Sequence, residues 1–169
     1  MKIRPAVESD ARAIAQVHVQ TWQIVYRGVV PDSYLDSLSV DKRETVWRQS
    51  LARGAPEVWV AELHSGIAGW VAFGPSRDVD ASPETGELEA IYVTPAKWST
   101  GLGRELWLVA RRRMLELGFS SATLWVLSEN TRAIGFYQAA GFEPNLDSQK
   151  EIILGGKSLR EVRYEISFG

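Results

Sequence analysis

Two carboxylates, two glycines and one phenol are the groups of this chain whose spacing suggests chemistry. Glu87 and Glu89 lie two apart in the run ELEAIYV, a spacing that turns both side chains to one face of a strand. A carboxylate so placed can take a proton from a nucleophile; the plainer alternative is a solvated carboxylate at a strand edge. Gly101 and Gly103 stand between that run and an amphipathic segment, so a strand enters a loop and the loop opens directly into a helix. The first N–H groups of such a helix have no internal partner, and the helix dipole adds partial positive charge there. That is an anion site suited to a pyrophosphate, although two glycines before a helix also make an ordinary tight turn. Tyr137 offers a phenol whose ordinary pKa of about 10 keeps it protonated at neutral pH, able to donate a proton. Its alternative is a core ring beside Phe136.

Other chemistries are removed by composition. The chain has no cysteine, which excludes disulfide frameworks, thiol nucleophiles and thiolate metal sites. His18 and His64 are too far apart in chain and context to suggest a metal pair, and no Ser-His pairing for a covalent intermediate is visible. Gly103 is followed by Arg104, Glu105 and Leu106, so neither the dinucleotide fingerprint nor the Gly-Lys-Ser/Thr of a nucleotide loop is present. A net charge of -2, from 19 basic and 21 acidic residues, gives no bulk attraction to nucleic acid or anionic membrane. The opening MKIRPAVESDARAIA has charges where a signal peptide needs its apolar run, and no apolar stretch approaches the ~18 residues of a membrane span. The expectation is a cytoplasmic protein, one domain over residues 1–169.

The elements that must position these groups follow from pattern. Lys2 to Pro5 reads as an edge strand, followed by a helix from Ser9 or Asp10 toward Trp22 and a second from Asp41 to Gly54. Between the two helices lies a Ser/Asp-rich stretch with Tyr34, Leu35 and Leu38. VWVAELHSGIAGWVAFG reads as a hairpin, and ELEAIYV as a third strong strand. Leu106, Val109, Ala110, Met114 and Leu117 recur at helical spacing, ATLWVL is a strand covered on both faces, and Asn130 can cap a helix reaching Ala140. Glu151 to Leu154, Gly155-Gly156 and the alternation Val162, Tyr164, Ile166, Phe168 describe a terminal hairpin. The class is α/β: a mixed, mostly antiparallel sheet of about seven strands flanked by about four helices. Trp59, Trp70, Trp107 and Trp125 fall inside these elements and read as core.

The loop and the later helix together resemble the GNAT superfamily of N-acetyltransferases. The family's pyrophosphate loop, Gln/Arg-x-x-Gly-x-Gly/Ala, is matched at Trp98 to Gly103. Its helix Asn-x-x-Ala-x-x-Phe-Tyr-x-x-x-Gly-Phe is matched at Asn130, Ala133, Phe136, Tyr137, Gly141 and Phe142. The resemblance spans almost the whole chain. It departs at Trp98, where the family has Gln or Arg, and at Ser99, where Gly is frequent; a polar contact to the pyrophosphate is lost, with Lys97, Thr100 or Arg104 left to supply charge or a hydroxyl.

The resemblance implies acetyl-CoA as co-substrate, no metal, and direct transfer to an amine in a ternary complex. It places the cofactor on Ile91, Tyr92, Val93, Trp98, Ser99, Thr100, Gly101, Leu102, Gly103, Arg104, Asn130 and Tyr137, with an oxyanion donor in the Ile91–Val93 backbone. Asn130 has a second reading as helix cap alone. A lysine-like amine has a pKa of roughly 10.4 and an α-amine about 7.7–8.0, so a base is wanted before attack on a thioester. The family's general-base glutamate falls on Glu87, with Glu89 as its neighbour and alternative, and its general-acid tyrosine on Tyr137. Trp22 and Tyr26 fall where the family builds part of its acceptor pocket. The Trp22 to Leu38 region is similar to small-molecule acetyltransferases, which makes the expected partner a small amine, with a homodimer left open. Protein N-termini or lysines are the alternative acceptors, and a non-catalytic CoA-binding module is the alternative class.

Overall fold

The computed structural model describes residues 1–169. In chain order it has β1 (Lys2–Pro5), α1 (Ala11–Val25), α2 (Asp32–Ser37), α3 (Val40–Arg53), β2 (Glu57–Leu63), β3 (Gly66–Pro75), β4 (Thr85–Val93), α4 (Leu102–Glu116), β5 (Ser121–Leu127), α5 (Thr131–Ala139), β6 (Glu143–Leu154) and β7 (Lys157–Ser167). The strands form one sheet in the order β1-β2-β3-β4-β5-β7-β6. Every pairing is antiparallel except β4 with β5. This is the expected α/β class.

The sheet is covered on both faces, and β3 shows it in sequence. Ala68 to Gly74 are all buried, the near-continuous run of a strand with no solvent face. Trp70 and Ala72 pack with Val58 and Val60 against α1 and α3, through Ile14, Ala15 and Trp47. Val71 and Phe73 point the other way, into a larger core with Leu106, Ala110 and Met114 of α4 and Tyr137 of α5. Each large apolar side chain fully removed from water contributes about 1.5–3 kcal/mol, so these two layers fix the helices to the sheet. The helix ends match local signals. Ser39 caps α3 by accepting from Lys42 N at 3.2 Å, and Gly54 ends it in the left-handed conformation at φ 74°.

Two elements differ from the sequence expectation. The Ser/Asp-rich stretch contains a helix, α2, making five α-helices rather than about four. Leu35, completely buried, anchors it in a third cluster with Tyr26, Val30, Leu127 and Leu159. The terminal hairpin also starts earlier, at Glu143 rather than Glu151, with a register break between Asn145 and Gln149. Its Gly155-Gly156 turn has positive φ at both residues. A Cβ on Gly155 would lie 2.7 Å from Tyr34 Cβ, so the turn reaches α2 only because that side chain is missing. No helix is long and apolar enough to cross a membrane.

Candidate active site

The pairing of β4 with β5 covers three residues, Thr85 to Glu87 against Ser121 to Thr123, and then stops. Beyond it β4 stays with β3 while β5 stays with β7, so a wedge opens in the sheet. A cavity of about 650 Å³ fills the wedge. Thr94 N–H donates to Ala68 O at 2.8 Å, toward β3. Backbone groups alternate sides along a strand, so those of Ile91 and Val93 face the gap. Trp98 Nε1–H bears this out by donating to Val93 O at 2.8 Å from the gap side.

At one end of the wedge the chain turns through Pro95–Lys97 and a tight loop into α4. Ser99 is held at φ 58° and Gly101 at φ 88°, so two residues of the loop are left-handed. Glu105 N–H is bonded to Gly101 O at 3.0 Å, the first bond of the helix. The amides of Leu102, Gly103 and Arg104 precede it and are left for an anion. Three cations line this end: Lys97, Arg104 and Arg132. The Arg132 guanidinium lies 4.1 Å from the centre of the Trp98 ring and 3.5 Å from Ser99 Oγ. Trp98 therefore holds the loop to β4 through its N–H and holds a cation over the loop through its face.

Two loop residues do not reach the cavity with their side chains. Thr100 donates its hydroxyl to Lys97 O at 2.7 Å, and Leu102 is buried in the main core. The expectation of a hydroxyl from Thr100 is corrected, because the loop turns it back on itself, while Leu102 offers its backbone only, its side chain anchoring the first turn of α4 on the sheet. Gly103 is needed for a close approach, since a Cβ there would lie 3.2 Å from Phe136 Cε2.

Tyr137 lines the cavity from α5. Its ring sits edge-on to Phe136 at 5.6 Å and Phe142 at 6.0 Å, and burial together with nearby Tyr26 pushes its phenol well above the ordinary value. At neutral pH it is a donor and not a base. Asn130 is a cap: its Oδ1 accepts from Ala133 N at 3.2 Å. It also lines the cavity, and its Nδ2 donates to Tyr26 OH at 3.2 Å, which ties α5 to the end of α1. Trp22 stands against Tyr26, ring centres 4.8 Å apart, and donates Nε1–H to Tyr92 OH at 3.0 Å. Behind them His18 is enclosed by Trp22, Trp47, Trp70 and Tyr92. Its Nδ1 accepts from Trp47 Nε1 at 3.2 Å, and burial, with Arg43, lowers its pKa to about 3, so the imidazole is neutral.

The two carboxylates of β4 separate. A bulge against Ala72 and Phe73 makes Glu89 the extra residue of the strand. Glu87 is buried and bound by Arg77, which donates to it from both its backbone N and its guanidinium. It is absent from the cavity wall. Glu89 lines the cavity, with Arg77 Nε 2.9 Å from its carboxylate, and burial raises its pKa despite that cation. The expectation of Glu87 at the cavity is thus corrected: its buried carboxylate is taken up by Arg77, and Glu89, its neighbour and alternative, is the carboxylate that lines the cavity.

The far wall contains residues that sequence reasoning missed or placed elsewhere. Trp125, read as core, lines the cavity from β5, and Glu161 lines it from β7. Lys150 Nζ lies 4.0 Å from the centre of the Trp125 ring and 3.7 Å from Glu161. Burial raises the Glu161 pKa, with Lys150 opposing. Arg132 was within reach, being part of the helix motif beginning at Asn130; Glu161 had no local signal beyond its place in an alternating strand.

Comparison with known proteins agrees with this geometry. The chain is 34% identical over 161 residues, 95% of its length, to the uncharacterized N-acetyltransferase YuaI of Bacillus subtilis, covering 89% of that protein. Its fold is shared with the PaiA N-acetyltransferase of Thermoplasma acidophilum in complex with coenzyme A, at TM-score 0.76 and 20% identity over 99% of this chain and 98% of that one. It is shared too with yncA of Salmonella typhimurium with its cofactor acetyl-CoA, at TM-score 0.75 and 22% identity over 100% of this chain and 94% of that one. Residues 20–142, which include the loop into α4 and all of the cavity wall but Ile152 and Glu161, match the model of the acetyltransferase (GNAT) family. This chain belongs to the GNAT family of acetyltransferases.

Proposed function

We propose that the protein transfers an acetyl group from acetyl-CoA to the primary amine of a small molecule, within a ternary complex and in a cytoplasmic setting. The observation that carries this reading is the wedge itself: free amides and three cations at one end, Tyr137 on the wall, and the Glu89 carboxylate at the other end. In this reading the amides of residues 102–104 and Arg132 hold the pyrophosphate of the co-substrate. The open edge of β4 at Ile91 and Val93 pairs with its extended amide arm and offers an N–H to the developing oxyanion. Glu89, directly or through water, takes a proton from the bound ammonium and so frees the neutral amine to attack. The amine nitrogen bonds to the thioester carbonyl carbon, the carbon–sulfur bond breaks, Tyr137 donates its proton to the leaving thiolate, and the proton shed by the acylated nitrogen passes through water to restore the phenol. Glu87 acts at one remove, by fixing the Arg77 that holds Glu89.

The acceptor end of the cavity, walled by Trp22, Tyr26 and Glu89, supports a small amine as acceptor. Thiol release from acetyl-CoA, measured against a panel of small primary amines and lysine or N-terminal peptides, tests the reading. Turnover with small amines is expected. No turnover with any amine overturns the transfer, and turnover with peptides alone overturns the acceptor class.

A further inference from the structure

We infer that the acceptor is a small aliphatic diamine, and that Glu161 with the face of Trp125 holds the ammonium that is not acetylated. The inference rests on the reading of the wedge as a transferase site and names the substrate of that site. The charged residues of the cavity wall divide by end. Lys97, Arg104 and Arg132 all belong to the loop, the first turn of α4 and the start of α5. The remaining charged wall residues are two carboxylates, Glu89 and Glu161. They stand on β4 and β7, on opposite sides of β5, and both respond to the charge of Arg77. The partners of these carboxylates, Arg77 and Lys150, are not part of the wall, so a molecule entering from the cavity meets anionic groups.

Lys150, from outside the cavity wall, shows how Glu161 and Trp125 share an ammonium. Lys150 Nζ lies over the Trp125 ring at 4.0 Å and near Glu161 at 3.7 Å, the arrangement in which an aromatic face and a carboxylate share one cation. The Lys150 side chain is about half exposed on a flexible stem, so a bound ammonium can replace it. Trp22 and Tyr26 complete an aromatic surround for the carbon chain between the two charges. An amino acid would bring its carboxylate beside Glu89 and Glu161 without a cation on the wall to receive it. A monoamine would leave Glu161 with Lys150 and gain nothing from that carboxylate.

Putrescine, n-butylamine and γ-aminobutyrate share a four-carbon chain and one primary amine, and differ only at the far end. Calorimetric titration of each into the protein, with and without saturating CoA, tests the inference. Putrescine is expected to bind at least ~10-fold more tightly than the other two, as a partly buried charged hydrogen bond gives. Glu161→Gln is expected to remove that preference, and Lys150→Met to strengthen putrescine binding by vacating the site. Equal binding of n-butylamine or γ-aminobutyrate overturns the inference, as does a putrescine preference that survives Glu161→Gln. Thiol release separates the two readings. Turnover of n-butylamine as good as that of putrescine keeps the transferase and removes the diamine, whereas selective putrescine binding without thiol release keeps the diamine and removes the transfer.

Discussion

Replacing Tyr137 by Phe deletes one hydroxyl and leaves a ring that is 9% exposed and packed edge-on against Phe136 and Phe142. Packing is therefore preserved, and folding stability should change by less than ~1 kcal/mol, the size of one ordinary hydrogen bond. Catalysis should change far more. A positioned proton donor commonly contributes roughly 10²–10⁴-fold, which at 1.36 kcal/mol per decade is about 3–5 kcal/mol of barrier. The phenol is held above its ordinary pKa by burial, so it stays protonated across the neutral range. The loss should then appear as a lowered plateau at every pH, without a shifted limb. Single-turnover thiol release at saturating amine measures the chemical step, and titration of acetyl-CoA measures binding. The expected result is a rate at least ~10²-fold down with acetyl-CoA affinity within ~2-fold of wild type. A single-turnover rate equal to wild type would refute the argument and make Tyr137 a core residue.

Gly103→Val should abolish acetyl-CoA binding, because even a Cβ sits 3.2 Å from Phe136 and the larger side chain covers the amides of α4. In thermal melts the wild type at 100 times Kd gains about 2.7 kcal/mol from the ligand, and the variant should gain none; an unchanged shift places the anion site elsewhere. Ser99→Gly should stabilise the protein by about 0.5–1 kcal/mol, since Ser99 is held at φ 58°, where a side chain is strained. A urea midpoint that stays level or falls counts against this. His18 has its folded pKa lowered to about 3 by burial, below its ordinary 6.5. Its contribution to stability is complete above pH 6.5 and is lost as pH falls from there toward 3. His18→Asn, which keeps an acceptor for Trp47, should flatten the fall in melting temperature between pH 7 and pH 4; an equally steep fall in the variant refutes it.

The parts of the fold that could be read in advance are those with local causes. Gly54 ends α3, Asn130 caps α5, and the buried run of β3 is continuous in the sequence. α2 could not be read, because six residues show no helical period and so short a helix depends on tertiary packing, here of Leu35. The first part of β6 could not be read either: Glu143 to Asp147 is mainly exposed and polar, without alternation. At the site, the glycine loop and Tyr137 lie in contiguous motifs, so their joint place on one cavity could be read in advance. The choice between Glu87 and Glu89 was not, since a bulge and Arg77, a loop residue ten positions away, decide which carboxylate faces the gap. Trp125 and Glu161 meet only because β7 returns beside β5, and no spacing along the chain encodes that.

That return also orders assembly. β7 follows β6 in the chain but lies between β5 and β6, so until residues 157–167 are made β5 has only three pairs, those with β4. A chain emerging from its N-terminus can pair β1 to β4 and dock α1, α3 and α4 while the apolar edge of β5 waits. The half of the molecule that carries the glycine loop is then complete before the strand that brings Glu161 to Trp125 exists. During synthesis the protein passes through a stage in which one wall of its cavity stands without the other, and the last strand to arrive both seals the sheet and makes the pocket.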